Sequence, residues 1–217
     1  MSQLKNLIGL NPSSPELSQY LYSLAKHVSY PNAVVPEVKS YRDAVYLNYY
    51  SLGLSLLFTP QGDYKPKPGL KFSALDTEQL VLDSMDIYNI PNPVSRTQGT
   101  STRIAELAFS SFPQFPLVFD VSGEIKDKDG KLMPRPAQLK AGEKTSGKEF
   151  VEHLGEPDRK GGGAGPSSGS IGIWCEWTKD GLMIEFGGDE AKGPQAWERG
   201  KDAVWKVITI FSSSGSC

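Results

Sequence analysis

Two acids and an indole, Glu176, Glu185 and Trp174, are the residues whose types and spacing best suit chemistry. They sit in two apolar-alternating runs, 171–177 and 182–186, which flank Thr178-Lys179-Asp180-Gly181. A four-residue connection ending in Gly suits a type I turn whose last residue takes positive φ. In the resulting hairpin Trp174 lies across from Glu185, and period-two alternation puts both glutamates on its face. Glycosidases use two carboxyl groups at a defined separation, and an aromatic ring beside them offers a sugar platform. The trio is therefore a candidate carbohydrate or catalytic site, although ordinary solvated strand positions account for it equally well.

Other motifs carry less chemistry. Gly142-Glu-Lys-Thr-Ser-Gly147-Lys148-Glu149 imitates a phosphate-binding loop, but the residue after the lysine must be Ser or Thr to reach magnesium, and Glu149 would repel phosphate. Ser146 and Glu149 instead have the spacing of a helix capping box. Gly161-Gly162-Gly163, with Arg159 and Lys160 beside it, offers backbone N–H groups to an anion; a flexible connector is the plainer account. The two histidines, His27 and His153, fall at the ends of separate expected helices, where a cationic ring is favourable. That placement argues against a shared metal site or a Ser-His-Asp triad. No His-Glu-x-x-His string occurs. The two cysteines, Cys175 and Cys217, are too few for a disulfide framework or a four-thiolate metal site. Cys175 is expected to point inward, where thiols are usually inert. No cofactor is expected.

The elements that must position these residues repeat. Ser13-Ser14-Pro15-Glu16 reads as a helix start, and Leu17, Tyr20, Leu21 and Leu24 give helical spacing to about His27. Pro31 and Pro36 prevent its continuation. A second helix starts at Ser146, carries Phe150, Val151 and Leu154, and stops at Gly155 before Pro157. Each helix leads to a hairpin: 45–49 and 54–58 around Tyr50-Ser-Leu-Gly53 in the first half, and the Trp174 hairpin in the second. Each half then offers a third strand, at 80–88 and at 203–211. Laid over each other at one offset, Tyr46 meets Trp174, Tyr49 meets Trp177, Gly53 meets Gly181, Leu56 meets Ile184 and Phe58 meets Phe186. Such self-similarity is the mark of internal duplication.

Alternation then sorts the strands into faces. Ile171, Ile173, Cys175, Trp177, Leu182, Ile184 and Phe186 should face the helices, as should Val45, Leu47, Tyr49, Leu54, Leu56 and Phe58. The other face is mixed: Trp174, Glu176, Met183 and Glu185 in one half, Tyr46, Asn48, Ser55 and Leu57 in the other. Aromatic residues on a solvated sheet face are common anchors for another protein. The alternative is that Trp174 and Tyr46 pack beneath the segment between the halves.

Bulk properties narrow the classes. The 217 residues suffice for a sizeable core, and 38% apolar with 22% charged residues is globular. A net charge of −2 with mixed signs shows no basic stripe for nucleic acid and no polybasic membrane segment. Apolar runs such as 52–59 are too short to span a bilayer, and the N-terminus lacks a secretory apolar region. A cytoplasmic protein with reduced thiols is the expectation.

The string Lys148-Glu-Phe-Val-Glu-His-Leu-Gly-Glu-Pro157, followed by Ile173-Trp-Cys-Glu-Trp177 and Gly181-Leu-Met-Ile-Glu-Phe186, resembles the helix–Leu-Gly-x-Pro–three-strand unit of the beta-lactamase inhibitor protein and of small outer-membrane assembly lipoproteins. In the first half, Leu54-Ser-Leu-Leu-Phe58 and Ser84-Met-Asp-Ile-Tyr88 are similar to segments that precede that unit in small microbial proteins. The match covers about half the chain. It implies a tandem helix-on-sheet fold used for protein binding, with no catalytic residue to carry over. The lipobox cysteine and the inhibitor's disulfide pairs have no counterpart here.

The expected fold is α+β: antiparallel sheet with helices on one face, in two related units, 1–90 and 143–217, joined by an irregular segment, 91–142. The expected function is non-enzymatic binding of an unidentified protein partner, in the manner of an inhibitor or immunity module. The alternative is an enzyme or carbohydrate-binding protein centred on Trp174, Glu176 and Glu185. Candidate binding residues are Trp174, Glu176, Glu185 and Tyr46; no nucleic acid, membrane or metal is expected.

Overall fold

Helix α1 (Pro15–Ala25) begins at its capping signal, with the Ser14 side chain accepting the Leu17 N–H. It stops short of His27 because His27 and Val28 donate to Leu24 and Ala25, the three-residue bonds that tighten a final turn. Helix α2 (Gly147–Leu154) carries the full capping box: Ser146 accepts from the Glu149 N–H, while the Glu149 carboxylate accepts from the Ser146 N–H at 2.7 Å. The loop that imitates a nucleotide site is therefore a helix start. The chain is described here from a computed structural model that covers residues 4–90, 108–121, 123–126, 131–163 and 172–213. Ile171, most of the turn expected at 126–130, and Cys217 lie outside the described residues.

Eight strands form one antiparallel sheet. In chain order they are β1 (Glu37–Ser40), β2 (Val45–Tyr49), β3 (Leu54–Pro60), β4 (Leu80–Tyr88), β9 (Arg159–Gly161), β10 (Trp174–Trp177), β11 (Leu182–Phe186) and β12 (Trp205–Phe211). Their spatial order is β1-β2-β3-β4-β12-β11-β10-β9, so the third strands of the two halves meet at the centre. Both hairpins turn through one turn of 3₁₀ helix into a left-handed glycine, Gly53 at φ 58° and Gly181 at φ 61°. The carbonyls of these glycines accept from Tyr88 and Phe211, the last residues of the third strands. Register slips once in each half, between Leu57 and Phe58 and between Glu185 and Phe186.

Four further strands occupy the stretch expected to be irregular. β5 (Leu117–Asp120) pairs with β8 (Gln138–Ala141), and β6 (Glu124–Lys126) pairs with β7 (Leu132–Pro134). The short edge strands β1 and β9 were likewise not expected. A run of three or four residues is too short to declare itself by alternation, and each of these strands exists through its partner.

One face of the sheet is the core. Leu47, Leu54, Leu56, Phe58, Ile87, Leu182, Ile184, Ile208 and Ile210 have no measurable exposure and belong to one contiguous cluster. α1 adds Leu17, Leu21 and Leu24 to it, α2 adds Phe150 and Leu154, and the β5–β8 pair adds Phe119, Leu139 and Ala141. Phe150 meets Phe186 edge-on at 6.1 Å, and Phe115 meets Trp205 at 6.0 Å. At about 25 cal/mol per Å² of apolar surface, this burial is the main favourable contribution to folding. A buried ion pair locks the layer onto the second hairpin: Arg135 Nη2 lies 2.7 and 2.8 Å from the Asp180 carboxylate, and its Nη1 donates to the Leu154 carbonyl. Both side chains are 4% exposed. Among the described residues, no helix is long and apolar enough to cross a membrane.

Candidate functional site

The helices and the small strands cover one face of the sheet; the candidate residues lie on the other. A row of paired residues crosses this open face through all eight strands. From Asp86 it runs through Ser55 and Asn48 to Glu37, and from Thr209 through Met183 and Glu176 to Arg159. Alternation makes every member of the row an outward residue. A second row joins Tyr88, Val207, Glu185 and Trp174.

Trp174 stands across from Glu185, the register expected for the hairpin. It is half-buried, because on its other side β9 presents Gly161, where a side chain would meet the indole at 2.6 Å. Gly161 is therefore a strand residue that makes room for a ring. The neighbouring cations are also engaged: Arg159 lies 3.3 Å from Glu176, and the Lys160 ammonium stands 5.6 Å above the Trp197 ring. Each acid of the candidate trio has its own polar partner. Glu176 faces Arg159 and accepts from the Thr178 hydroxyl at 3.1 Å, while Glu185 pairs with Lys206 at 2.7 Å. Neither geometry sets up a proton donor beside a carboxylate base.

The other half of the face is hollowed. A depression of about 450 Å³ lies over β2, β3 and β4, floored by Asn48, Ser55 and Asp86. Tyr41 and Tyr46 wall one end, packed edge-to-face at 6.1 Å. Tyr50, Tyr88 and Phe109 wall the other, with Phe109 stacked on Tyr88 at 3.9 Å and tilted against Tyr50 at 4.6 Å. Phe109 is held there because the Ser110 and Phe112 N–H groups donate to the Tyr50 and Tyr88 carbonyls. This close approach needs Gly53, since a side chain there would meet the Phe112 nitrogen at 2.7 Å. Tyr46 thus lines a recess that Trp174, Glu176 and Glu185 do not, although all four share one face.

Electrostatics single out Asp86. Burial pushes its carboxyl above the usual range, the Thr209 hydroxyl bond at 2.7 Å pulls it back, and the charge of Glu185 pushes it up again. Burial and the Asp86 charge also raise the Tyr46 phenol. At the rim, the bond to Tyr50 raises the Lys39 ammonium. On the core side, burial pushes the Cys175 thiol up to about 11, against the pull of Lys160. Among the described residues no group of three or more His, Cys, Asp or Glu could hold a metal ion.

Reading the sequence alone misses Asp86 and Phe109 as parts of a site. Alternation within Leu80–Tyr88 does place Asp86 outward, and that was the available signal. Its nearness to Asn48 follows only from strand order. A second, more open depression lies over Ser84, Glu176, Met183, Thr209 and Phe211. Comparison with family models, with curated proteins and with solved structures gave no match to this chain.

Proposed function

We propose that this chain is a non-enzymatic binding protein that presents the open sheet face around Trp174 to a protein partner, an inhibitor- or immunity-like role in the cytoplasm. The observation that carries the reading is the make-up of that face. Trp174, Met183 and Phe211 remain half-exposed on a sheet whose other face is fully covered, and the acids between them are held by Arg159 and Lys206. Half-exposed aromatic groups ringed by satisfied polar ones are how interface anchors present themselves. The proposal includes descent of the two halves from one helix–hairpin–strand unit, the arrangement that the family resemblance implies. It is supported by the matching capped helices, the two left-handed glycines, and register slips that keep the offset of the hairpins.

The test is Trp174→Ala. As a partner anchor, Trp174 should contribute on the order of 2 kcal/mol or more to binding, while its loss lowers folding stability by only about 1 kcal/mol, well short of the 3–5 kcal/mol for a core aromatic. Proteins retained by the wild-type chain and lost by this variant would be identified by mass spectrometry. A urea melt showing a core-sized loss would overturn the assignment.

A further inference from the structure

The hollow over β2, β3 and β4 lies apart from the surface around Trp174. Its floor holds two polar groups whose bonding is incomplete. Asn48 is 7% exposed, and its side-chain amide has one partner among the described residues, the Ser55 hydroxyl, which donates to Oδ1 at 2.8 Å. Its two N–H donors have none among the described residues, and turning the amide around would leave its carbonyl unpartnered instead. A buried polar group without a partner is rare enough in a native fold to call for an explanation. Two strands away, Asp86 Oδ1 accepts from Thr209, while Oδ2 has no partner among the described residues.

A ligand that completes both must bring an acceptor to Asn48 and a hydrogen-bond partner to Asp86. The two residues are about 9.5 Å apart along the sheet, two inter-strand spacings. Hydroxyl groups do both tasks, since each donates once and accepts twice. They also pair with Asp86 whether or not it is ionised, which an ammonium or guanidinium group would require. The walls add the other half of the requirement. Tyr46 on β2 and Tyr50, which opens the 3₁₀ turn after it, stand on either side of Asn48 in the chain and line the hollow, and aromatic rings suit weakly polar C–H groups. Lys39, bonded to Tyr50, and Asp43 put one charge of each sign on the lining, so the mouth favours neither a cation nor an anion.

From this geometry we infer that the hollow binds a neutral saccharide, a pyranose-sized ring that stands between Tyr46 and Tyr50 with hydroxyls from opposite sides of the ring on Asn48 and Asp86. Its volume of about 450 Å³ is within the ordinary range for small-ligand sites. No bond is made or broken.

The experiment is an NMR titration of the ¹⁵N-labelled full chain with a panel of neutral sugars: glucose, galactose, mannose, N-acetylglucosamine, xylose, fucose and their common disaccharides. Each is taken to about 20 mM, where even a Kd of roughly 1 mM saturates the site. At least one sugar should shift the Asn48 side-chain NH₂ resonances together with the amides of Ser55 and Asp86. For that sugar, Tyr46→Ala and Asp86→Ala should each weaken binding at least tenfold, while Trp174→Ala stays within twofold of wild type. If no sugar shifts these resonances, or if the shifts centre elsewhere, the inference fails. It fails equally if folded Tyr46→Ala or Asp86→Ala binds like wild type. Should either variant not fold, the Asn48 resonances of the wild-type chain decide the matter. Loss of the Trp174 partner surface alone would leave every one of these readings unchanged.

Discussion

Thr209 donates its hydroxyl hydrogen to Asp86 Oδ1 at 2.7 Å, across a separation of 123 residues in the chain. The two are register partners on β12 and β4, the strands that join the halves of the sheet. The bond places a carboxyl group, pushed up by burial, at the centre of an otherwise neutral stretch of floor.

Asp86 should therefore make stability fall as pH rises. Its folded carboxyl titrates above its ordinary value of 3.8, so between that value and the folded one the native state binds more protons than the unfolded state. Stability is lost across that window and levels off above it. Glu185 and Tyr46 are the titratable neighbours. Asp86→Asn keeps an acceptor for Thr209 and removes the charge; it should be more stable than wild type at neutral pH, with the gap closing towards pH 3.8. Urea melts of both proteins across that range check this, and a gap that does not change with pH would refute it.

Breaking the Arg135–Asp180 pair should be expensive. Both groups are 4% exposed, so removing one takes the bidentate partner from a charge held in the interior. Arg135→Met should cost about 3–5 kcal/mol. Adding Asp180→Asn should cost much less than the sum of the two single changes, since neither variant partner then leaves a buried charge. Denaturant melts of the two single variants and the double variant measure that coupling.

Cys175 should resist thiol reagents in the folded protein. Its side chain points into the core beside Trp177, and burial holds the thiol up to about 11. In a Cys217→Ser background it is the remaining thiol. Ellman's reagent at pH 8 should react at the rate of unfolding, and in urea should react at once.

Gly53→Ala should loosen the wall of the hollow. Its φ of 58° strains an L-residue by about 1–2 kcal/mol, and the new methyl group would press on the 110–112 backbone. A stability loss of at least about 2 kcal/mol is expected. Hydrogen exchange should also speed up at Ser110 and Phe112, whose N–H groups hold Phe109 against Tyr88. A change confined to the hairpin turn, with those two amides still protected, would refute the second part.

The parts of this protein legible in its sequence are those fixed by neighbours in the chain. The Ser14 and Ser146 caps, the Gly53 and Gly181 turns, and the inward positions of Leu47, Leu56, Cys175 and Ile184 follow from spacing over a few residues. So does the large antiparallel sheet with few helices, because alternating runs around turn signals have few other uses. Tertiary structure decided what no local pattern encodes. Alternation says that Asn48, Ser55 and Asp86 point outward, but only the order of strands puts them side by side. The short strands β1, β9 and β5–β8 have too few residues to show a period and exist because a partner completes their hydrogen bonds. Arg135 and Asp180 look like solvated charges in loops until the second layer folds onto the hairpin and encloses both. Each of these contacts joins segments distant in sequence, and its free energy depends on burial and pairing that arise only once the whole sheet is assembled.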